Sequence, residues 1–385
     1  MAANGNSQDA PVQELIQRAA VEFTKNLQAP DDQKQYDESK KDLLEEEKTN
    51  AWDAKAKASA SQAEKSAAWI VWKIREHERE NLFGNKASEA IPGPETLDMG
   101  GQFLTNKERI GKQSLLFKIA RRMPKGAHLH LHFNAELSPR LVLDKAKNMD
   151  NMFIRSTRPI VSKQDLAETE MVFSVMPIDT ITANIFAKNY NPDFKTPGSN
   201  PWMTWSTFRE KLEQKFRVNA EDWIVDKMIL SEEEVYSANQ TTNGIWARFN
   251  QATRCFKGLL NYEDIFRWYI GAAIDNMIED GVMYAELRPM LMDKSIPSTD
   301  GERKIFHEAQ MQIIIEEINK KKQELDSDNR LRKFPFGIKI IYCAPRSIPK
   351  TWMQRELQDC IKLKLQFPDL ICGMLTTYPT APNKD

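Results

Sequence analysis

The chain has 385 residues, with 54 Lys+Arg against 55 Asp+Glu and 41% hydrophobic residues. That length holds two domains or one large barrel with additions, and a net charge of -1 argues against nucleic acid or an anionic membrane as the main partner. No run of about 18 apolar residues predicts a membrane helix, and the polar residues 1–9 contain no signal-peptide core, which gives a cytoplasmic expectation.

Residues 1–10 read as disordered. Residues 11–82 are rich in Ala, Glu, Lys and Gln, and the block 37–65 has helix propensity without an apolar stripe. That predicts a solvated helix or a mobile arm. From Ala67 onward, Trp69, Ile70, Val71 and Ile74 recur at helical spacing, which predicts a packed helix ending before Gly84, with His77 on its surface. Pro92-Gly93-Pro94 and Gly100-Gly101 mark a linker or loop over 85–106. A helix over 107–122 follows, its last part reading Leu-Leu-Phe-Lys-Ile-Ala-Arg-Arg, ended by Pro124 and Gly126.

Residues 123–135 carry three of the five histidines, His128, His130 and His132, at strict alternation. In a strand such residues share one face, leaving Leu129, Leu131 and Phe133 on the other. One reading is an antiparallel strand with a wet imidazole face. The other is the first strand of a parallel barrel, buried on both faces, whose imidazoles meet a ligand. Neutral imidazoles are the usual zinc ligands, and two from one strand can reach the same ion.

After a helix at 141–147, residues 148–245 are too long and irregular for an ordinary connection. They read as an inserted subdomain with one helix at 205–216, placed at the C-terminal end of the first strand, where barrel active sites are built. Helices 246–256 and 262–278, a strand at 282–287, a helix at 300–326, a strand at 337–343, a helix at 350–366 and a short strand near 370–372 complete the pattern. This β-helix-β-helix alternation predicts an α/β fold with a parallel, barrel-type sheet. Cys255, Cys343, Cys360 and Cys372 are scattered and read as buried thiols. Lys125 reads as a turn residue. Glu286 and Arg288 close the second strand, where ion pairing and site lining are both open to them, and Arg346 follows the third.

Met123-Pro124-Lys125-Gly126 with Leu129-His130-Leu131-His132 resembles the opening signature of the adenosine deaminases, nearest their growth-factor-related branch. A second match runs from Gly258-Leu259-Leu260 through Glu279-Asp280-Gly281-Val282 to Glu286-Leu287-Arg288. The resemblance implies a (β/α)8 TIM barrel of the metal-dependent hydrolase type. His130 and His132 would be ligands of Zn2+, with no ligand role for His128. It implies hydrolysis of adenosine, and possibly 2′-deoxyadenosine, to inosine and ammonia, using zinc-activated water and a general acid/base. Trp246 aligns near the nucleoside pocket, with a helix-face core aromatic as its alternative. Asn134 stands where relatives place an aspartate that meets the ribose. The N-terminal helices would form a homodimer, as in the branch, whose animal members are extracellular.

The family's later motifs are not found. No His-Ala-Gly-Glu occurs, His307 lies in a helix between the second and third strands, and no Asp-Asp pair follows Asp31-Asp32. The general acid/base glutamate is expected beyond the chain end. After Ile371-Cys372-Gly373 the likeness stops at one residue. The expectation is therefore a truncated, incomplete barrel of about four strands: a helical extension at 1–106, a barrel start at 107–147, an insertion at 148–245, later strands at 246–373, and an aberrant polar tail at 374–385. Inactivity of the chain follows as an expectation. The competing readings are a catalytically dead partner-binding protein and another amidohydrolase-type purine deaminase.

Overall fold

The computed structural model describes residues 14, 17, 18, 21, 22, 30–83, 103–237, 239–289, 291, 293–345 and 348–377. The chain divides into two compact units, Met1–His77 and Glu78–Asp385. In the first, helices Pro30–Asn50, Ala54–Ser59 and Gln62–His77 are exposed along their described residues or only partly covered. The solvated-helix expectation holds for the first of them. The packing expected of the third does not: none of its residues is buried, and Trp69, Ile70 and Trp72 are about half exposed. The reason is compositional. The 21-residue helix before it is charged nearly all round and offers no apolar face to receive the aromatics.

The second unit begins with a built-in cap. The predicted helix 107–122 is two helices, Phe103–Gln113 and Leu115–Arg122, and the loop expected through residue 106 gives way to helix at 103. Ser114 breaks the run by accepting from the Phe117 backbone N–H. The buried Glu78 carboxylate accepts from Ser114 Oγ at 2.7 Å and from the backbone N–H of Leu115 and Leu116 at 2.5 and 3.0 Å. Free N–H groups at a helix start favour such an anion.

Strand β1, Gly126–His132, follows. Between it and the next barrel strand, β2 (Met152–Ser156), β3 (Met171–Val175) and β4 (Met203–Thr204) form an antiparallel sheet in the order β3-β2-β4. The helix Trp205–Phe216 forms at its predicted bounds, burying Trp205, Phe208 and Leu212. The helix Thr242–Leu260 lies so close to β3 that a Cβ on Gly258 would stand 1.8 Å from the Phe173 carbonyl oxygen.

Helix Glu263–Glu279 leads into β5, Val282–Arg288. A hairpin of β6 (Ser295–Pro297) and β7 (Lys304–Phe306) replaces the predicted start of a helix at 300; that helix is His307–Ser327. Gly301, at φ +80°, makes the hairpin's turn, a conformation that ends helix there. Then come β8 (Gly337–Pro345), the helix Lys350–Gln366 at its predicted bounds, and β9 (Ile371–Thr377). Residues 374–377 thus continue a strand rather than beginning a polar tail, and Met374 packs on the core. Residues 378–385 lie outside the described residues, as do residues 1–10, residues 84–102 of the linker, and Arg346.

The four barrel-type strands pair in the order β1-β5-β8-β9, all parallel. Chain order and spatial order agree, as successive β-helix units dictate. No closed barrel forms among the described residues. Ala285, Leu287, Ile338, Ile340, Tyr342 and Ile371 are buried in the core. The residues alternating with them on β5, Tyr284 and Glu286, are only partly buried. β1 is an edge strand, and that overturns the expectation of burial on both faces: Leu131 alone is buried, and Leu129 is 54% exposed. Cys255, Cys343 and Cys360 are buried as expected, but Cys372 is exposed, sitting at the irregularity where β9 gains a residue against β8. No helix among the described residues is long and apolar enough to cross a membrane.

Candidate active site

The register of β1 against β5 decides which imidazoles share a face. His132 stands opposite Arg288, Leu131 opposite Leu287, and His128 opposite Ala285. Three steps along β1 therefore match two along β5, so β1 carries a bulge between His128 and Leu131. An extra residue reverses the alternation. His128 falls in register with Ala285, which is buried in the core, while His132 is in register with Arg288. The three-imidazole face expected from strict alternation is thus a pair, His130 and His132. Their ring centroids are 5.4 Å apart and tilted by 50°. His128 lies instead near Glu136, whose carboxyl is held above its usual range mainly by burial. The bond from Asn276, at 3.1 Å, and the nearby His128 pull the other way, while Asp280 adds to the rise.

The start of β1 is pinned to the start of β5. Lys125 N–H donates to Gly281 O at 2.9 Å, and its ammonium donates to Met123 O at 3.2 Å and to Asp280 O. This is more than a turn residue does: it ties the start of β1 to the turn that opens β5. At the far end, Phe133–Ala135 form a 3-10 turn in which Phe133 is 1% exposed and packs on Phe266 and Tyr269. The Tyr269 hydroxyl accepts from the backbone N–H of Glu136 and Leu137, both at 3.0 Å. This anchors the strand end carrying the imidazoles, and half-buried Asn134 stands two residues beyond His132.

Arg288 makes no ion pair among the described residues. Its Nη1 donates to Glu286 O at 3.3 Å, and its Nε is buried without a hydrogen-bond partner. Glu286 accepts from the Tyr284 hydroxyl at 3.2 Å and stands opposite Lys339 in register. The ion-pair role open to Glu286 and Arg288 is therefore not the one they take. Tyr284 stands opposite Ala127 and Arg288 opposite His132, and by strand alternation Glu286 shares their face of β5. Polar residues at i, i+2 and i+4 of an otherwise apolar strand were the signal for that face.

Partial burial holds His132 below the usual imidazole range, and neighbouring His130 and Arg288 act in the same direction. A neutral ring is what a metal ligand requires. Two imidazoles at this spacing can both reach one zinc ion at about 2.0–2.1 Å, but zinc takes three or four protein ligands. Among the described residues no group of three or more His, Cys, Asp or Glu gathers. The pair fits zinc as part of a donor set.

Trp246 is 50% exposed and makes its ring contact edge-on with Phe249, at 5.7 Å. It is not the core aromatic that the alternative reading requires. His307 is buried at the start of its helix, with Nε2 2.9 Å from Asp293 O, and takes no part in the imidazole pair. An open cavity of about 640 Å³ lies against Asp150, Glu263, Asp264, Asp300 and Arg303, and none of the imidazoles lines it.

Among curated proteins the chain is similar to adenosine deaminase 2-A of Danio rerio, 23% identical over 271 residues, which are 69% of this chain and 46% of that protein. It is similar to an adenosine deaminase of Aedes albopictus, 23% identical over 69% of this chain and 42% of that protein. Adenosine deaminase 2 of Homo sapiens is 23% identical over 68% of this chain and 45% of its own length. The chain spans about half the length of the curated relatives it matches, and no family model matches it.

Proposed function

We propose that this chain, which belongs to the adenosine deaminase family, carries the first-strand part of a zinc site for hydrolytic deamination of a purine nucleoside. Adenosine is the proposed substrate, with 2′-deoxyadenosine as its close analogue, and inosine and ammonia are the products. The observation that carries the reading is the His130–His132 pair at the C-terminal end of β1, which the bulge separates from His128.

In this reading His130 and His132 hold zinc through neutral ring nitrogens. Bound zinc supplies the Lewis acidity that makes water a nucleophile near neutral pH. Asn134, in the turn beyond the strand, offers its amide to a ribose hydroxyl, and Trp246 offers an exposed ring on the flanking helix. No described carboxylate joins the imidazole pair. The general acid/base that protonates the purine ring is therefore assigned to residues outside those described. The chain alone is then proposed to hold zinc weakly and to be inactive, since two histidines make an incomplete donor set.

The test is zinc content by mass spectrometry and inosine formation by chromatography on the purified 385-residue chain. Weak zinc binding that His130→Ala and His132→Ala each abolish is expected, while His128→Ala leaves it unchanged. Zinc retention unaffected by either substitution sinks the metal assignment. Inosine formation at one bound zinc per chain sinks the inactivity proposal.

A further inference from the structure

The inserted sheet, the helix Thr242–Leu260 and strand β6 border an open cavity of about 260 Å³. Arg155, Arg254 and Lys257 line it, with one carboxylate, Asp293, and the hydroxyls of Ser174 and Ser295. None of the imidazoles does. Arg155 lies on the central strand β2 and is half-buried. Its guanidinium stacks on the Phe194 ring at 4.0 Å, with the Trp202 ring at 5.6 Å. A ring beneath a guanidinium holds its plane and leaves the in-plane N–H fork without an acceptor. Among the described residues Arg155 makes no ion pair and no hydrogen bond through that fork. Burial pulls its pKa below the usual guanidinium range, and Tyr190 and Glu170 act against that from a distance. A cation this far out of water is ordinarily paired. Arg254 and Lys257, three residues apart, share a face of their helix, which closes on β3 at Gly258. Arg254 gives Glu170 two of its five donors, at 3.1 and 2.6 Å, and the Lys257 ammonium pairs with Asp293. Donors remain on both.

We propose that this cavity is a receptor for a phosphoryl group, as free phosphate or a phosphate monoester, with the Arg155 fork at its centre and Arg254 and Lys257 at its rim. The planar fork donates two parallel bonds to two phosphate oxygens. The remaining oxygens of a tetrahedral dianion point elsewhere and meet the two helix cations. A carboxylate, with both oxygens in one plane, would satisfy the fork alone and leave the helix cations without a role. Size agrees with a small ligand: the cavity falls below the ~300–1,000 Å³ of sites that enclose a drug-sized molecule. It takes one phosphoryl group with a small substituent, not a polymer. Phosphate binding there is independent of deamination at the imidazole pair.

Isothermal titration calorimetry of the full chain with inorganic phosphate, at constant ionic strength, tests it. The parent binds one phosphate per chain with a dissociation constant of about 1 mM or tighter. Arg155→Gln weakens binding by at least ~10-fold, while Arg121→Gln with Arg122→Gln, both exposed, leaves it unchanged. Asp293→Asn removes the one carboxylate that lines the cavity and releases Lys257, so it tightens binding by roughly 3- to 10-fold. A gain of that kind does not come from misfolding, and the half-exposed Lys257–Asp293 pair adds little to stability. Glycerol 3-phosphate, titrated in parallel, separates the sources: tighter binding than phosphate assigns a monoester, and equal or weaker binding assigns the free ion. No saturable heat up to about 20 mM phosphate, binding that Arg155→Gln leaves intact, or an Asp293→Asn variant that binds more weakly overturns the inference. So does polyphosphate that binds tighter than phosphate and is insensitive to Arg155→Gln, because that marks an open basic surface.

Discussion

Gly258→Ala tests the packing of the inserted segment with an unambiguous sign. In the middle of an exposed helix, Gly→Ala stabilises by roughly 0.5–1 kcal/mol, because alanine loses less chain entropy. Gly258 lies in the helix Thr242–Leu260, but a Cβ there meets the Phe173 carbonyl oxygen at 1.8 Å, its carbon at 2.3 Å and Ser174 N at 3.0 Å. All three are backbone atoms of β3 and cannot rotate away. The helix must move off the sheet by more than 1 Å, enough to unseat Leu259, which is fully buried in the core. Overpacking of this kind costs about 1–3 kcal/mol, sometimes more, and it outweighs the propensity gain. Gly271 is the matched control, since its added Cβ meets only the end of the Lys321 side chain, at 3.7 Å. Urea unfolding followed by tryptophan fluorescence should therefore show Gly258→Ala less stable by about 1–3 kcal/mol and Gly271→Ala more stable by about 0.5–1 kcal/mol. If both variants gain stability, the helix does not rest on β3 at Gly258 and the geometry is wrong.

Three further outcomes are expected. Glu78→Ala removes the acceptor for Ser114 Oγ and two backbone N–H groups, and should lower stability by about 2–3 kcal/mol in the same urea assay. Tyr342→Phe deletes a buried 2.7 Å hydrogen bond to Glu356. It should cost about 1–2 kcal/mol, and Lys294, 3.2 Å from Glu356, keeps the loss from growing larger. Glu136 keeps its proton longer in the folded chain than in the unfolded one. Stability from this group is therefore full below the unfolded carboxyl range and is lost as pH rises through the folded value. Glu136→Gln, which keeps an acceptor for Asn276, should raise the melting temperature at pH 7 and flatten its dependence on pH between 4 and 7. An unchanged slope would show that Glu136 is not the group responsible.

Much of the sheet was legible because each of its strands is flanked by a helix with strong periodicity. Residues 205–216 and 350–366 form helices at their expected bounds, and β5 and β8 exceed theirs by only one or two residues. Two kinds of information were not legible. The hairpin β6–β7 is held by a backbone bond from Ser298 N–H to Arg303 O and by a glycine at positive φ. Three-residue strands leave no periodicity to read. The bulge in β1 was hidden for a different reason. His-Leu-His-Leu-His alternates perfectly in sequence, and only the partner strand reveals that the backbone does not. Apolar periodicity from Ala67 likewise predicted a packed helix, but periodicity reports an apolar face and not what covers it, and the helix Gln62–His77 has no buried residue.

The bulge also bears on what this strand could become. It divides β1 into two segments whose side-chain directions are set independently. Upstream of it, the position opposite Tyr284 belongs to Ala127, and His128 takes the position opposite buried Ala285. A histidine written at Ala127 would share the face of His132, but its partner Tyr284 stands four strand residues from Arg288, about 13 Å along the sheet, too far for one ion to hold both. His128 is free to change without touching the pair. A protein engineer completing a three-histidine metal centre on this scaffold would have to take the third ring from a neighbouring strand, because β1 has no further position on that face within reach of the pair.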